Sequence, residues 1–154
     1  MVLTLGIISV SLWAADDPLI GTWKLNVAKS QYSPGPPPRS AIIKYEPFGE
    51  DGVKNIRDEV DAQGKLIHSE YASKYDGKDY TVNGELGGGN PPRATISARR
   101  IDLYTTENIN KLGNKVLSTS RRVVSRDGKT LTFYVKGTDG NGHSINNVVV
   151  YNRQ

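Results

Sequence analysis

Two arginine doublets, Arg99-Arg100 and Arg121-Arg122, carry the most suggestive chemistry in this chain. Each lies in a stretch that reads as β-strand, where neighbouring side chains point to opposite faces. One member of each pair therefore shares a face with core-type residues. An arginine inside a protein needs a partner, which makes it a candidate receptor for a carboxylate or phosphate head group; the competing arrangement puts both side chains of each doublet in solvent at a rim. His68 and His143 are the only histidines, so no pair is spaced for zinc. His68 shares a face with Glu70, which fits a surface cross-strand pair. The Asp139–Ser144 turn has two calcium-type ligand positions, Asp139 and Asn141, but lacks the remaining oxygens. Asp58-Glu59-Val60-Asp61 reads as a strand end, not a carboxylate dyad. The glycines of Asn83–Arg93 lack the strand-then-helix setting of a phosphate loop, and no Gly-x-Ser-x-Gly elbow exists. The expectation is a non-enzymatic protein with no metal and no cofactor.

The elements that must position these side chains are marked by turns. Asp51-Gly52, Asp76-Gly77, Asn83-Gly84, Asp127-Gly128, Asp139-Gly140 and Asn141-Gly142 supply the positive φ angles of tight hairpins. The intervening segments are rich in Val, Ile, Thr and Tyr. Strands are predicted at Leu19–Val27, Ser40–Glu46, Val53–Asp61, Lys65–Tyr75, Asp79–Val82, Ala94–Ile101, Leu103–Asn110, Lys115–Arg126, Thr130–Gly137 and Ser144–Asn152. The predicted fold is all-β: an antiparallel up-and-down meander of about 8–10 strands that closes into a barrel. Pro34-Gly35-Pro36-Pro37-Pro38 cannot donate to a sheet and reads as a stiff connector over one end.

Length and composition agree. At 154 residues the chain suits one domain with a real core, and 16 glycines with 8 prolines fit a turn-rich protein. A net charge of +4 is scattered among acidic residues, which argues against nucleic acid as a partner. There is no cysteine, so disulfides, thiolate metal sites and a cysteine nucleophile are excluded. Residues 1–15 read as a secretory signal without its basic region, apolar through Trp13 and ending in small residues near Ala14 or Ala15. The stretch is too short for a membrane span. The expected organisation is a signal peptide at 1–15 and one barrel domain at 16–154, exported to a periplasmic or extracellular location.

Alternation also sketches an interior. Ile67, Ser69, Tyr71, Ser73 and Tyr75 share one face, a plausible cavity wall of hydroxyls and aromatic rings. Leu131, Phe133 and Val135 form an apolar face, and the last strand is apolar on both faces, with Ile145, Val149 and Tyr151 opposite Val148 and Val150. Tyr71, Tyr75, Tyr134, Tyr151 and Arg122 are the candidate ligand-binding residues.

The segment Pro18-Leu19-Ile20-Gly21-Thr22-Trp23-Lys24-Leu25 resembles the opening strand of the calycins, the lipocalins and fatty-acid-binding proteins, which share a Gly-x-Trp there. The resemblance implies that Gly21 permits a tight start and that Trp23 plugs the closed end against an arginine from a late strand. Arg121, Arg122 and Arg153 are the candidates for that arginine. Fatty-acid-binding proteins place two helices where this chain has prolines. They carry Arg-x-Tyr on the final strand where this chain has Val149-Val150-Tyr151, so the pattern is closer to lipocalin-like exported proteins. The function implied is binding or transport of a small, mostly apolar or amphipathic molecule in the barrel, by a monomer. One alternative is an interaction module with a solid core, docking a protein or envelope polymer through Tyr32–Arg39 and Glu85–Arg93. Another is a heme-binding barrel of the nitrobindin type, which would need His68 or His143 to point inward.

Overall fold

The computed structural model describes residues 17–85, 93–139 and 141–154. The expected signal peptide, residues 1–15, lies outside the described residues, as does most of the loop expected at Glu85–Arg93. The chain forms an 11-stranded antiparallel sheet curled into a nearly closed barrel. The strands are β1 (Gly21–Leu25), β2 (Ser40–Phe48), β3 (Gly52–Val60), β4 (Leu66–Lys74), β5 (Tyr80–Thr81), β6 (Asn83–Gly84), β7 (Thr95–Asp102), β8 (Thr105–Leu112), β9 (Lys115–Val124), β10 (Thr130–Thr138) and β11 (Ser144–Arg153). The first and last strands pair, with Trp23 opposite Arg153 and Leu25 opposite Tyr151. The count exceeds ten because the segment after β4 divides between two neighbours. Tyr80–Thr81 pairs with β7, whereas Asn83–Gly84 pairs with β4. These two short strands bridge the seam where β4 and β7 do not zip together.

Aspartates at the first turn position do much of the shaping. Asp61 Oδ1 accepts from the amides of Gln63 and Lys65, at 2.9 and 2.8 Å, and Asp102, Asp127 and Asp139 act in the same way. β8 begins two residues later than its apolar pattern suggests. Asp102 Oδ1 accepts from Tyr104 N at 2.8 Å, which turns Leu103 and Tyr104 out of the strand. The segment after β1 forms a short 3-10 turn (Val27–Lys29) and runs beside β11, where Gln31 exchanges backbone bonds with Val148. The proline run then arches across the barrel end before β2.

The opposite end is closed. Trp23 is fully buried and donates from Nε1 to Leu19 O at 2.9 Å. The Arg153 guanidinium stacks 4.2 Å from the Trp23 ring and donates to Ile20 O at 2.8 Å, Pro18 O at 2.5 Å and Gly128 O at 2.5 Å. Arg153 is therefore the plug arginine; Arg121 lies outside on an ion pair with Glu107, and Arg122 lies further into the barrel. Gly21 is obligatory here on two counts. Its φ is +139°, and a Cβ would lie 2.3 Å from Arg153 Nη1. Around the plug, Leu25, Ala41, Ile43, Val53, Val124 and Leu131 form the core.

Gly21→Ala is expected to destabilise the fold by about 2 kcal/mol or more, the sum of backbone strain and displacement of Arg153. Gly49→Ala is the comparison, because φ is also positive (+63°) but nothing lies within 4 Å of the added methyl. Urea midpoints for both variants check this: equal losses would remove the special role of the Gly21–Arg153 contact.

Candidate functional site

Above the plugged core the barrel is hollow. A cavity of about 540 Å³ opens at the end crossed by the proline arch and reaches Arg122 and Phe133 at its floor. A solid core is thereby ruled out. The mouth is framed by Tyr32, Pro34, Pro36, Asp61 and Lys65, and an ion pair between Lys65 and Glu85 (2.7 Å) ties part of the rim.

Arg122 is the centre of the site. Strand alternation turns Arg121 outward and Arg122 inward, where it is 8% exposed. Its Nη1 donates to the Tyr71 hydroxyl at 2.8 Å, and the guanidinium carbon lies 5.1 Å from the Phe133 ring and 5.6 Å from the Tyr45 ring. Its Nε has no hydrogen-bond partner, and among the described residues no carboxylate pairs with it. Burial opposes the charge, the phenols of Tyr45 and Tyr71 favour it, and the net direction of the Arg122 pKa is upward. The site thus contains a buried permanent cation held by π faces and one phenol, with no counter-ion.

Arg57 behaves differently. It also faces the cavity, but it is paired with Glu59, whose carboxylate is 5% exposed. Around these charges the wall is mixed. Asn110, Ser118 and Ser120 make β8 and β9 polar, Phe133 and Val135 make the adjacent β10 apolar, and Ile67 on β4 with Ile145 and Asn147 on β11 complete it.

The candidate residues separate cleanly. Tyr71 and Arg122 meet at the cavity floor. Tyr151 is 1% exposed and packs its ring 5.2 Å from Phe133, supporting the floor from behind. Tyr75 lines a smaller cavity of about 240 Å³ near the plugged end. There its hydroxyl donates to Asp17 Oδ2 at 3.3 Å and its ring lies 4.2 Å from the Arg100 guanidinium, which is itself paired with Asp17. Tyr134 is 49% exposed and points away from the interior, as it must between inward-facing Phe133 and Val135. It does not belong to the site. His68 and His143 are exposed, bonded to Asp58 and Asp139, so neither offers the inward ligand a heme barrel requires. Asp139 spends its carboxylate on the His143 and Asn141 amides of its own turn. Among the described residues no cluster could hold a metal ion, and no helix is long and apolar enough to cross a membrane. Arg57, Glu59, Asn110, Ser118 and Ser120 were hidden in the sequence because an inward polar face looks like a solvent face.

The barrel has clear structural counterparts. It aligns with the fluorescent protein UnaG at a TM-score of 0.59 and 13% identity, over 88% of this chain and 97% of that one. A redesigned β-barrel aligns at a TM-score of 0.51 and 14% identity, over 94% and 99%. No protein-family model and no curated protein matches the chain. The chain is a nearly closed up-and-down β-barrel. At such low identity the likeness concerns the fold alone.

The two arginines should respond oppositely to neutralisation. Arg57→Met leaves Glu59 buried without its partner and is expected to cost about 3 kcal/mol. Arg122→Met removes an unpaired buried cation, and its expected effect on the free protein lies between no change and a gain of about 1 kcal/mol. Denaturant unfolding without ligand checks both; a large loss on Arg122→Met would mean that its contacts to Tyr71 and the rings outweigh its desolvation.

Burial raises the pKa of the Tyr32, Tyr45, Tyr75 and Tyr151 phenols. These groups stay neutral in the folded barrel while unfolded tyrosine ionises near pH ~10. Their contribution to stability is complete below that pH and declines as pH rises above it, since the unfolded chain then gains by ionising. Alkaline titration should show part of the phenolate absorbance appearing only with loss of near-ultraviolet circular dichroism. A full tyrosinate signal from the intact barrel would contradict this.

Proposed function

We propose that this protein is a carrier that binds a small amphipathic acid inside the barrel, without chemical turnover. One observation supports the reading above the others: Arg122 is a buried cation without a counter-ion at the floor of an open cavity. A ligand carboxylate or similar anion would take the free donors of Arg122, with the Tyr71 phenol beside it. The ligand body would lie between Ile67 and the Phe133–Val135 stripe. The arrangement is pre-formed, because Arg122 is already held by Tyr71 and two aromatic rings, so little ordering is left for the moment of binding.

The apolar stretch at the start of the chain supports export as part of the same reading. In that setting a carrier would work in the periplasm or outside the cell, as a monomer. The described strands are fully engaged around the barrel, apart from the seam.

Binding of dodecanoate and of dodecanol, followed by displacement of a fluorescent anionic probe, tests the proposal. Charge-assisted hydrogen bonds are worth about 1.5–3 kcal/mol, so Arg122→Met should weaken dodecanoate roughly 10- to 150-fold. Dodecanol affinity should change little. Equal weakening of both ligands, or no weakening of the acid, would refute an anion receptor at Arg122.

A further inference from the structure

Part of the cavity's polar lining is ordered. Besides Arg57 and Glu59 on β3 and Asn147 on β11, a row of polar groups follows the inner faces of the adjacent strands β8 and β9. Across β8 and β9 the register pairs Asn110 with Ser118, Asn108 with Ser120, and Thr106 with Arg122; of these, Asn110, Ser118, Ser120 and Arg122 line the cavity. Across β9 and β10 the next pairs join this stripe to hydrocarbon, Ser120 with Val135 and Arg122 with Phe133. A sharp polar–apolar boundary therefore runs along the cavity from mouth to floor, with the cation at its lower end.

The stripe holds more hydrogen-bonding capacity than the protein uses. Asn110 Nδ2 donates to Ser118 Oγ at 3.0 Å, but Asn110 Oδ1 has no partner. Arg122 Nε, at the lower end of the same row, is unpartnered as well. A buried amide oxygen left unmet in a cavity wall is disfavoured unless something else meets it. A plain alkyl chain cannot.

We infer that the ligand is a facially amphipathic acid: a carboxylate at one end, oxygen functions along one face and hydrocarbon on the other. This rests on the carrier reading above and specifies its ligand class. Strand geometry sets the spacing. Ser120 and Ser118 lie roughly 7 Å and 14 Å up the strand from Arg122, so the oxygen functions belong at about those distances from the acid group. The hydrocarbon face then meets Phe133 and Val135. Such a site discriminates strongly against an analogue that lacks the hydroxyls, because its own polar groups would be left unpaired.

Cholate and 5β-cholanate share one carboxylate and one ring system, and only cholate carries hydroxyls on a single face. Calorimetric titration of the full chain should give cholate at least a tenfold advantage. The double variant Ser118→Ala/Ser120→Ala should bring that ratio close to one while leaving cholanate within about threefold of its original affinity. Thermal unfolding of the double variant confirms that the barrel is intact. Cholanate binding as tightly as cholate would overturn the facial reading, with ordered water then serving the stripe, and leave the carrier reading standing. Failure of both steroids where dodecanoate binds would do the same. Failure of all three acids would overturn both readings.

Discussion

One arginine holds the barrel shut at its lower end. Arg153 sits on the last strand, stacks on Trp23 of the first, and donates to carbonyls of Pro18, Ile20 and Gly128. These contacts tie the start of the domain, its final strand and the β9–β10 turn to a single planar group. Lysine could not serve in its place, since the stack and the diverging donors both need the guanidinium plane. Gly21 follows from the same constraint, because the guanidinium occupies the space of its missing side chain. With closure secured by this clamp and the apolar cluster above it, the other half of the interior need not be filled with hydrocarbon.

That freedom is visible in how the interior changes character along the axis. Near Trp23 the packing is Leu, Ile and Val; one layer higher come Arg122, Tyr71 and Tyr45, and above them serines and asparagines. Burying charge and amides in this way lowers stability unless they are paired. Arg57 has Glu59; among the described residues Arg122 has no carboxylate. Two arginines in one cavity are thus treated unequally, and that contrast is what the carrier proposal rests on. A fold optimised only for stability would place a methionine or leucine at the position of Arg122.

The meander was legible from its period-two apolar pattern and only in part from Asp-Gly and Asn-Gly pairs: Gly128 and Gly142 turn the β9–β10 and β10–β11 hairpins with positive φ, whereas Gly52 opens β3 without one and Asn83–Gly84 is itself a strand. The Asp102–Tyr104 turn has no glycine, so β8 seemed to start at Leu103. The seam was harder still. Only the three-dimensional register shows that Tyr80–Thr81 and Asn83–Gly84 serve opposite sides of a gap. Of the site, Tyr71 and Arg122 could be picked out because they alternate with core-like neighbours. The same rule, applied to Phe133 and Val135, puts Tyr134 outside. The polar wall was invisible for a physical reason. Alternation reveals two faces but not which one is wet, and Asn55, Arg57 and Glu59 on β3 look as solvated as Lys54 and Asp58.

The proline arch completes the logic of access. Between β1 and β2 this chain crosses the mouth with a segment anchored on both sides. Gln31 is bonded to Val148, and Ser33 N to Asn147 Oδ1 at 2.9 Å on one flank. Arg39 N is bonded to Val60 O at 2.8 Å on the other. Prolines between such anchors have little conformational freedom left to lose, so the rim is shaped before any ligand arrives. Rim, polar stripe and floor cation are each held by contacts internal to the barrel. Affinity in such a site comes from matching a fixed pattern, not from folding around whatever enters. A rigid, half-polar cavity is poorly suited to a general sink for hydrocarbon chains and well suited to a ligand whose own oxygen pattern mirrors its wall.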